Sequence, residues 1–335
     1  MLSRLLFIPL LVILVFGTFF ILKPKVSRVA SLKSSAQNIL PINNKKVTLI
    51  ATGDVIPARS VNFQATQRNN FKWAFEKTSD VLKQADITLV NLESPLLPNC
   101  PIAQEGMTFC GDARHIEGLV FAGVDVVNLT NNHLGNYGLK GIESTTGLLS
   151  QAGISYSGLG EILYKEVFGT KFAFLGFNEI SGSIPPMAWA ENEVLKTQIT
   201  EARTQADIVV VSFHWGTEYT HLPTPRQKEL AHLAIDSGAD LIIGNHPHWV
   251  QKVEKYEPKV SNPSDYKDKL IVYAHGNFVF DQMWSVKTQQ GVVGKYTFEG
   301  KKLVSFEFLP VRIKDYGQPE FITGPEAQEI LSNME

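Results

Sequence analysis

From Lys46 onward one pattern repeats, and it limits the possible folds more than any other feature. A short run of β-branched and other apolar residues ends in one or two polar residues, and a stretch with helical spacing follows. The runs are Val47–Thr52, Ile87–Asn91, Val124–Leu129, Phe172–Phe177, Ile208–Phe213, Leu241–Ile243 and Leu270–Ala274. Strands that are apolar throughout, without alternation, belong to sheets covered on both faces. Helical spacing fits Phe71–Gln84, Ala113–Ala122, Gly138–Ala152, Glu191–Ala206 and Pro225–Ser237. The segment Gly291–Ile313 alternates like two antiparallel strands around a turn at Glu299–Lys301. Ile180–Met187 and Tyr256–Asp268 read as loops. The expected fold is α/β, with a mixed sheet or two packed sheets.

Composition sets the outer bounds. Hydrophobic residues are 44% and charged residues 19% of the 335, which excludes a disordered chain. Lysine plus arginine is 31 against 33 acidic residues, a net charge of −2, so no nucleic-acid partner is expected. Two cysteines exclude a disulfide-dense scaffold and a four-cysteine zinc module.

The N-terminus points to a membrane. Leu5–Leu22 carries no charge, and as a helix it would span roughly 27 Å, close to the hydrocarbon thickness. Arg4 precedes it; Lys23, Lys25 and Arg28 follow. The rival is a cleaved signal peptide, but Lys23-Pro24-Lys25 stands where small residues would mark cleavage. The organisation read from this is a transmembrane anchor at 1–25, a linker at 26–45, a domain at 46–315 and a C-terminal tail at 316–335. The charges after the span favour a cytoplasmic C-terminal part, yet long domains translocate largely regardless of charge. Cys100 and Cys110 lie in PNCPIAQEGMTFCG, a stretch able to bring them together. They are either a disulfide, which places the domain outside the cytosol, or two unrelated thiols. The expected location is the cell membrane, single-pass, with the C-terminal domain extracytoplasmic.

The chemistry-bearing residues recur at strand ends, where open α/β sheets bind ligands. Successive strands deliver Asp54; Asn91 and Glu93; Asn131, Asn132 and His133; His214; His246 and His248; and His275 with Asn277. Pro247 biases His246 towards extended backbone, which would aim His246 and His248 the same way, roughly 6.5 Å apart. The alternative is a pair of hydrogen-bonded core histidines. Asp54, Glu93, Asn132, His133, His214, His246 and His248 form an oxygen and nitrogen donor set without cysteine. Such a set suits two divalent ions, manganese, iron or zinc, with a carboxylate between them. Two ions of this kind support phosphoester hydrolysis. His133 is the candidate proton donor to the leaving oxygen. Arg59, Asn91 and Glu218 are candidates for substrate contact; Tyr219, Trp249 and Asp281 share their edge. Trp215 and Trp249 either floor a pocket or pack in the core. GxSxG, HExxH, GxxxxGK[ST] and CxxC are absent from the sequence.

Taken in order, TGDV (52–55), NLES (91–94), TNNHLGNYG (130–138), HWGTEY (214–219), GNHPHWVQ (244–251) and GNFVFDQ (276–282) resemble the bacterial capsule synthesis protein CapA family, of the poly-γ-glutamate biosynthesis type. That family is similar to calcineurin-like metallophosphoesterases. The resemblance implies a four-layer α/β/β/α sandwich with a dinuclear metal site. It implies metal-binding roles for Asp54, Asn132, His214, His246 and His248, with Glu93 as the bridging carboxylate and His133 as proton donor. Three positions depart from the pattern. Ile56 stands where the superfamily has histidine, Asn136 where family members often have aspartate, and His275 where the residue is usually apolar. His275 either compensates for the missing histidine or hydrogen-bonds in the core. The activity implied is a membrane-anchored hydrolase of a phosphorylated or polyanionic envelope precursor. Its partners would be the cell membrane, an anionic surface polymer and membrane synthase subunits. The alternatives are a non-catalytic polymer-binding or synthase-docking protein with a degenerate site, and a metal-dependent amide hydrolase.

Overall fold

The computed structural model describes residues 45–259 and 269–335. The expected anchor at 1–25, the linker up to residue 44 and residues 260–268 of the expected second loop lie outside them. Among the described residues no helix is long and apolar enough to cross a membrane.

Two sheets carry the fold. The eight-stranded sheet runs, in spatial order, Gln318–Phe321, Lys302–Lys314, Gln290–Glu299, Lys46–Val55, Ile87–Leu92, Val126–Asn128 and Ser155–Ser157, with Asn277–Val279 also paired to Lys46–Val55. From Lys46–Val55 through Ser155–Ser157 the pairing is parallel; the C-terminal strands are antiparallel. The six-stranded sheet runs Val253–Tyr256, Lys269–Val272, Leu241–Asn245, Ile208–His214, Thr170–Asn178 and Leu163–Val167. Its four central strands are parallel and its two edge strands antiparallel.

The uniformly apolar strands are explained by what their two faces meet. Side chains alternate along a strand. In Lys46–Val55, Val47, Leu49 and Ala51 enter a core shared with Phe172, Phe174, Val210 and Ile243 of the other sheet. Ile50 and Val55 turn the opposite way, towards Leu119, Ile142 and Leu149 of the helices. In the six-stranded sheet, Val209, Val211 and Phe213 meet Leu195, Ile199, Leu230 and Ala234 from the helices Asn192–Gln205 and Pro225–Asp236. These central strands therefore feed two cores and have no polar face.

Several expectations need correction. The helix expected at Phe71–Gln84 is a 3-10 turn, Trp73–Phe75, followed by a one-turn helix, Ser79–Leu82. Phe71, Trp73, Ala74, Phe75, Thr78 and Ser79 are all buried, and one straight helix has no single face for so many. Ala113–Ala122 likewise splits into a 3-10 turn and the helix Ile116–Phe121. Residues 316–335, expected as a tail, belong to the domain. Gln318–Phe321 pairs with Lys302–Lys314, and Ile330 of the helix Pro325–Ser332 is buried in the inter-sheet core. Arg59–Gln67, read from the sequence as neither helix nor strand, is a helix. Of the two readings of Cys100 and Cys110, the structure bears out the disulfide.

His115 gives the fold a pH dependence. It is buried, with Nε2 3.1 Å from Asn62 Oδ1. Burial pulls its pKa down to about 3. The unfolded chain therefore takes up a proton near pH 6.5 that the folded chain refuses until about pH 3. Stability from this group is complete above pH 6.5 and is lost as pH falls through that window. Denaturation of His115→Gln against the parent should show the loss per pH unit between 6 and 4 reduced by about 1.4 kcal/mol. Identical slopes would show that His115 is protonated in the fold.

Candidate metal centre

The parallel strands of both sheets end on one edge, and the register lines up their last residues. Asp54 pairs with Asn91 and Asn277, Asn91 with Asn128, and His214 with Asn178 and Asn245. Two glycines permit the close approach. A Cβ on Gly53 would sit 2.2 Å from Gly276 O, and one on Gly244 would sit 1.9 Å from Tyr273 O. The residues just past the strands then turn inward. Asn131 holds one such turn: its Oδ1 accepts from His133 N and Leu134 N at 3.2 and 2.8 Å, and its Nδ2 donates to Leu92 O at 2.8 Å.

The structure brings the expected ligands together. His214 Nε2 lies 2.8 Å from Asn132 Oδ1 and 3.3 Å from Glu93 Oε1. His248 Nδ1 lies 3.3 Å from Asp54 Oδ2 and 2.8 Å from Asn277 Oδ1. The rings of His214 and His246 are 4.8 Å apart, and those of His246 and His248 5.8 Å. Three sets of donor atoms each fit within 4.8 Å: Glu93, His214 and His246; Asp54, Glu93 and His248; and Glu218, His246 and His248. Glu93 belongs to two of them.

Glu93 tests whether a cation fits. Its side chain is fully buried, and neither carboxylate oxygen has a hydrogen-bond donor; His246 Nδ1 is also unpartnered. An isolated buried carboxylate costs several kcal/mol unless a cation or a proton compensates it. Without a cation, burial and then the charge of Asp54 hold Glu93 well above the usual carboxylate range. Burial also pushes Asp54 up, but the hydrogen bond and charge of His248 outweigh it and leave Asp54 lowered. Burial lowers His248 too, yet Asp54, Glu93 and Glu218 together raise it to about 9. Burial drops His214 to about 3 and His246 well below its ordinary value, the latter helped by the neighbouring histidines. Neutral imidazoles such as His214 and His246 and buried carboxylates are the donors that a divalent ion takes, and an ion bound beside His248 would displace that ring's proton. The residues present fit such ions.

Other expectations change. His246 and His248 are not extended: φ is 97° and 57°. The turn is held by His246 N donating to Asp54 Oδ2 at 3.3 Å and Tyr219 N donating to Pro247 O at 2.9 Å. Asn91, expected against substrate, is 2% exposed. Its amide is spent donating to Asp54 Oδ1 and accepting from Asn128, at 2.9 and 3.0 Å, so it orients a ligand from beneath. Arg59 is paired with Asp281, which also accepts from Ser60 N at 2.9 Å, so its charge is already compensated. Glu218 Oε1 lies 3.9 Å from His248 Nε2, among donors, where a second acidic group would repel an anion. Ile56 is fully buried in an apolar cluster with Ala58, Phe109 and Phe280. His275 does not replace the missing histidine; its nitrogens face Tyr296 Oη at 2.8 Å and Gly244 O at 3.2 Å in the core. Trp215 is a core residue donating to Tyr273 O, while Trp249 lies half-buried 4.8 Å from the His221 ring.

His133 is 7% exposed, with Nδ1 3.0 Å from Asn136 Oδ1. Burial lowers its pKa to about 4. Sequence reasoning missed Asn128 and Phe109. Asn128 could have been read as one more polar residue at a strand end, but nothing in the sequence reveals that the Phe109 ring stacks on His133, with centroids 3.9 Å apart.

Comparison with known proteins shows the family of the chain. Residues 48–282 match the family described as bacterial capsule synthesis protein PGA_cap. The chain is 32% identical over 302 residues to the capsule biosynthesis protein CapA of Bacillus anthracis, covering 84% of this chain and 70% of that protein. It is 30% identical over 280 residues to the PGA biosynthesis protein CapA of Bacillus subtilis, covering 78% and 70%. Among solved structures, a phosphatase from Mycoplasma pneumoniae superposes with a TM-score of 0.54 at 14% identity, over 81% of this chain and 95% of that one; the likeness is one of fold.

Metal retention tests the assignment. His246→Ala should lose most bound manganese or zinc after dialysis, measured by plasma mass spectrometry. His232→Ala should retain it, because His232 lies on the helix Pro225–Asp236 and pairs with Glu254 at 2.8 Å. Equal losses would contradict the site.

Proposed function

The chain belongs to the bacterial capsule synthesis family, and we propose that it is a metal-dependent hydrolase of phosphoester or related envelope substrates, serving the synthesis of a capsule or poly-γ-glutamate-type surface polymer. The observation that carries the reading is Glu93, buried, without a hydrogen-bond donor and common to two donor sets. In this reading the two sheets and their flanking helices form a four-layer α/β/β/α sandwich. Residues 1–25 anchor the chain in the membrane, 26–45 tether it, and the domain lies outside the cytosol, where the Cys100–Cys110 disulfide is stable. Its partners are then the polymer-synthesis machinery and the anionic polymer or its precursor.

Asp54, Glu93, Asn132, His214, His246 and His248 would hold two divalent ions, manganese, iron or zinc. Glu218 would add a donor beside His246 and His248. Such ions, when bound, polarise a phosphoryl oxygen and make water nucleophilic at neutral pH. The chain's own residues do the rest. Asn91 fixes the Asp54 carboxylate, and Asn277 fixes the His248 ring. His133, with Nδ1 held by Asn136, leaves its Nε2 lone pair to take up a proton from solvent water and pass it to the leaving oxygen. Burial of these groups keeps bulk water from screening their charges.

A second reading rests on Ile56. Its apolar cluster removes one histidine from the superfamily's set, which suits a polymer-binding or synthase-docking protein with a degenerate site. A metal-dependent amide hydrolase acting on the polymer is the third.

Assays of the full chain on p-nitrophenyl phosphate, bis(p-nitrophenyl) phosphate and poly-γ-glutamate, with manganese and with chelator, separate the three. The hydrolase reading predicts metal-dependent phosphoester turnover. It also predicts that His133→Ala lowers kcat by about 100-fold at unchanged metal content. Turnover of the polymer alone supports the amide hydrolase. No turnover after metal reconstitution removes the enzymatic readings.

A further inference from the structure

We infer that Phe109 and Asn136 are positioning residues for His133, and that the Cys100–Cys110 disulfide keeps Phe109 in place. The inference rests on the hydrolase reading, in which His133 Nε2 takes up a proton from solvent and passes it to the leaving oxygen.

The geometry begins with a backbone donor. Phe109 N donates to Asn136 Oδ1 at 2.6 Å, and an amide N–H can only donate. That fixes which way the Asn136 amide points, since the atom facing Phe109 N must be the oxygen. The same oxygen lies 3.0 Å from His133 Nδ1. A carboxamide oxygen accepts only, so Nδ1 must carry a hydrogen and donate. The tautomer of His133 is thereby set, and Nε2 is the nitrogen left for the reaction. His133 and Asn136 are brought together because the turn Leu134–Tyr137 is a 3-10 turn capped by His133, in which residues three apart eclipse. The Phe109 ring then stacks on the imidazole, 3.9 Å between centroids and 21° between planes, which fixes its rotation.

Phe109 reaches that position through a short closed loop. Residues 101–108 are all exposed, and only Phe109 and Cys110 turn inward. The loop is tied at its base, where Leu96–Leu97 pairs with Gly111–Asp112 and Cys100 bonds to Cys110. Asn62 braces the tie from behind, with Nδ2 3.8 Å from Cys100 Sγ and Oδ1 accepting from Asp112 N at 3.0 Å. Arg59 lies 4.9 Å above the Phe109 ring and donates to Gly106 O at 3.3 Å. A loop this exposed has little burial of its own to hold it down, so the covalent link is the restraint that keeps its one buried aromatic seated.

A disulfide that only braces the surface would leave the imidazole untouched, and this separates the two roles. Full-length protein labelled with ¹⁵N-histidine and loaded with zinc reports the His133 tautomer in long-range ¹H–¹⁵N spectra, assigned by His133→Gln. Kinetics use bis(p-nitrophenyl) phosphate with manganese. The parent should show the Nδ1–H form. Asn136→Leu, Phe109→Leu and C100S/C110S should each show a mixture of tautomers. They should also show kcat lower by about tenfold or more, KM within about twofold and metal content unchanged. Asn136→Asp, which keeps an acceptor, should retain the Nδ1–H form. Met107→Ala, at the exposed loop tip, should change neither readout. An unaltered tautomer and kcat in Phe109→Leu overturns the positioning role. The same result in C100S/C110S overturns the role of the disulfide. If C100S/C110S does not fold, Phe109→Leu reads the same contact with the disulfide intact. A parent that hydrolyses nothing refutes the hydrolase reading alone, because the spectra still decide the positioning.

Discussion

The Glu93 carboxylate sits at the edge where both sheets end, sealed from water and given no hydrogen bond. Around it the protein supplies one positive charge, on His248, and leaves the Glu93 oxygens without a hydrogen bond. His214 and His246 stay neutral there because burial opposes their protonation. His248 instead takes a proton, because Asp54, Glu93 and Glu218 outweigh its burial. His246 and His248 accept positive φ, a conformation that costs of order 1–3 kcal/mol per residue. Strain of this kind persists where the surroundings over-determine it. Here the hydrogen bonds from His246 N to Asp54 and from Tyr219 N to Pro247 O hold the turn.

Much of this could be read in the sequence, for a reason particular to parallel sheets. A buried parallel strand has no polar face, so its polar residues collect just beyond its end, and that end is the ligand-binding edge. Asp54, Glu93, Asn132, His214, His246 and His248 were therefore visible as a set. What lay under them was harder to see. Asn91 looks the same in sequence as a substrate contact, and only the register with Asp54 and Asn128 makes it an orienting residue. The backbone of His246-Pro247-His248 was misread because local preference favours extended residues before proline, and tertiary hydrogen bonds overrode it. The segment 71–84 has helical spacing, but burial of Phe71, Trp73, Ala74 and Phe75 breaks it into turns. The strand Gln318–Phe321 is only four residues long, with a proline and a glutamate among them, so periodicity gave no hint that it completes a sheet.

Ile56 and the disulfide loop meet on one side of the site. Ile56, Ala58, Phe109 and Phe280 form a small apolar cluster there. Phe109 belongs to that cluster and also backs His133, while Phe280 lies 5.3 Å from the His248 ring. The cluster gives the site a hydrophobic wall, and Glu218 lies 3.9 Å from His248. Ile56 and the loop that carries the disulfide therefore share one apolar cluster beside the site.

The central claim is that Glu93 lies between two cations. Crystals of manganese-soaked protein, with diffraction recorded on the two sides of the manganese absorption edge, test it most directly. The account predicts two anomalous peaks about 3.5–4 Å apart, one beside His214 and His246, one beside Asp54 and His248, with Glu93 touching both. A cluster without anomalous density, its Glu93 hydrogen-bonded to ordered water instead, would contradict it.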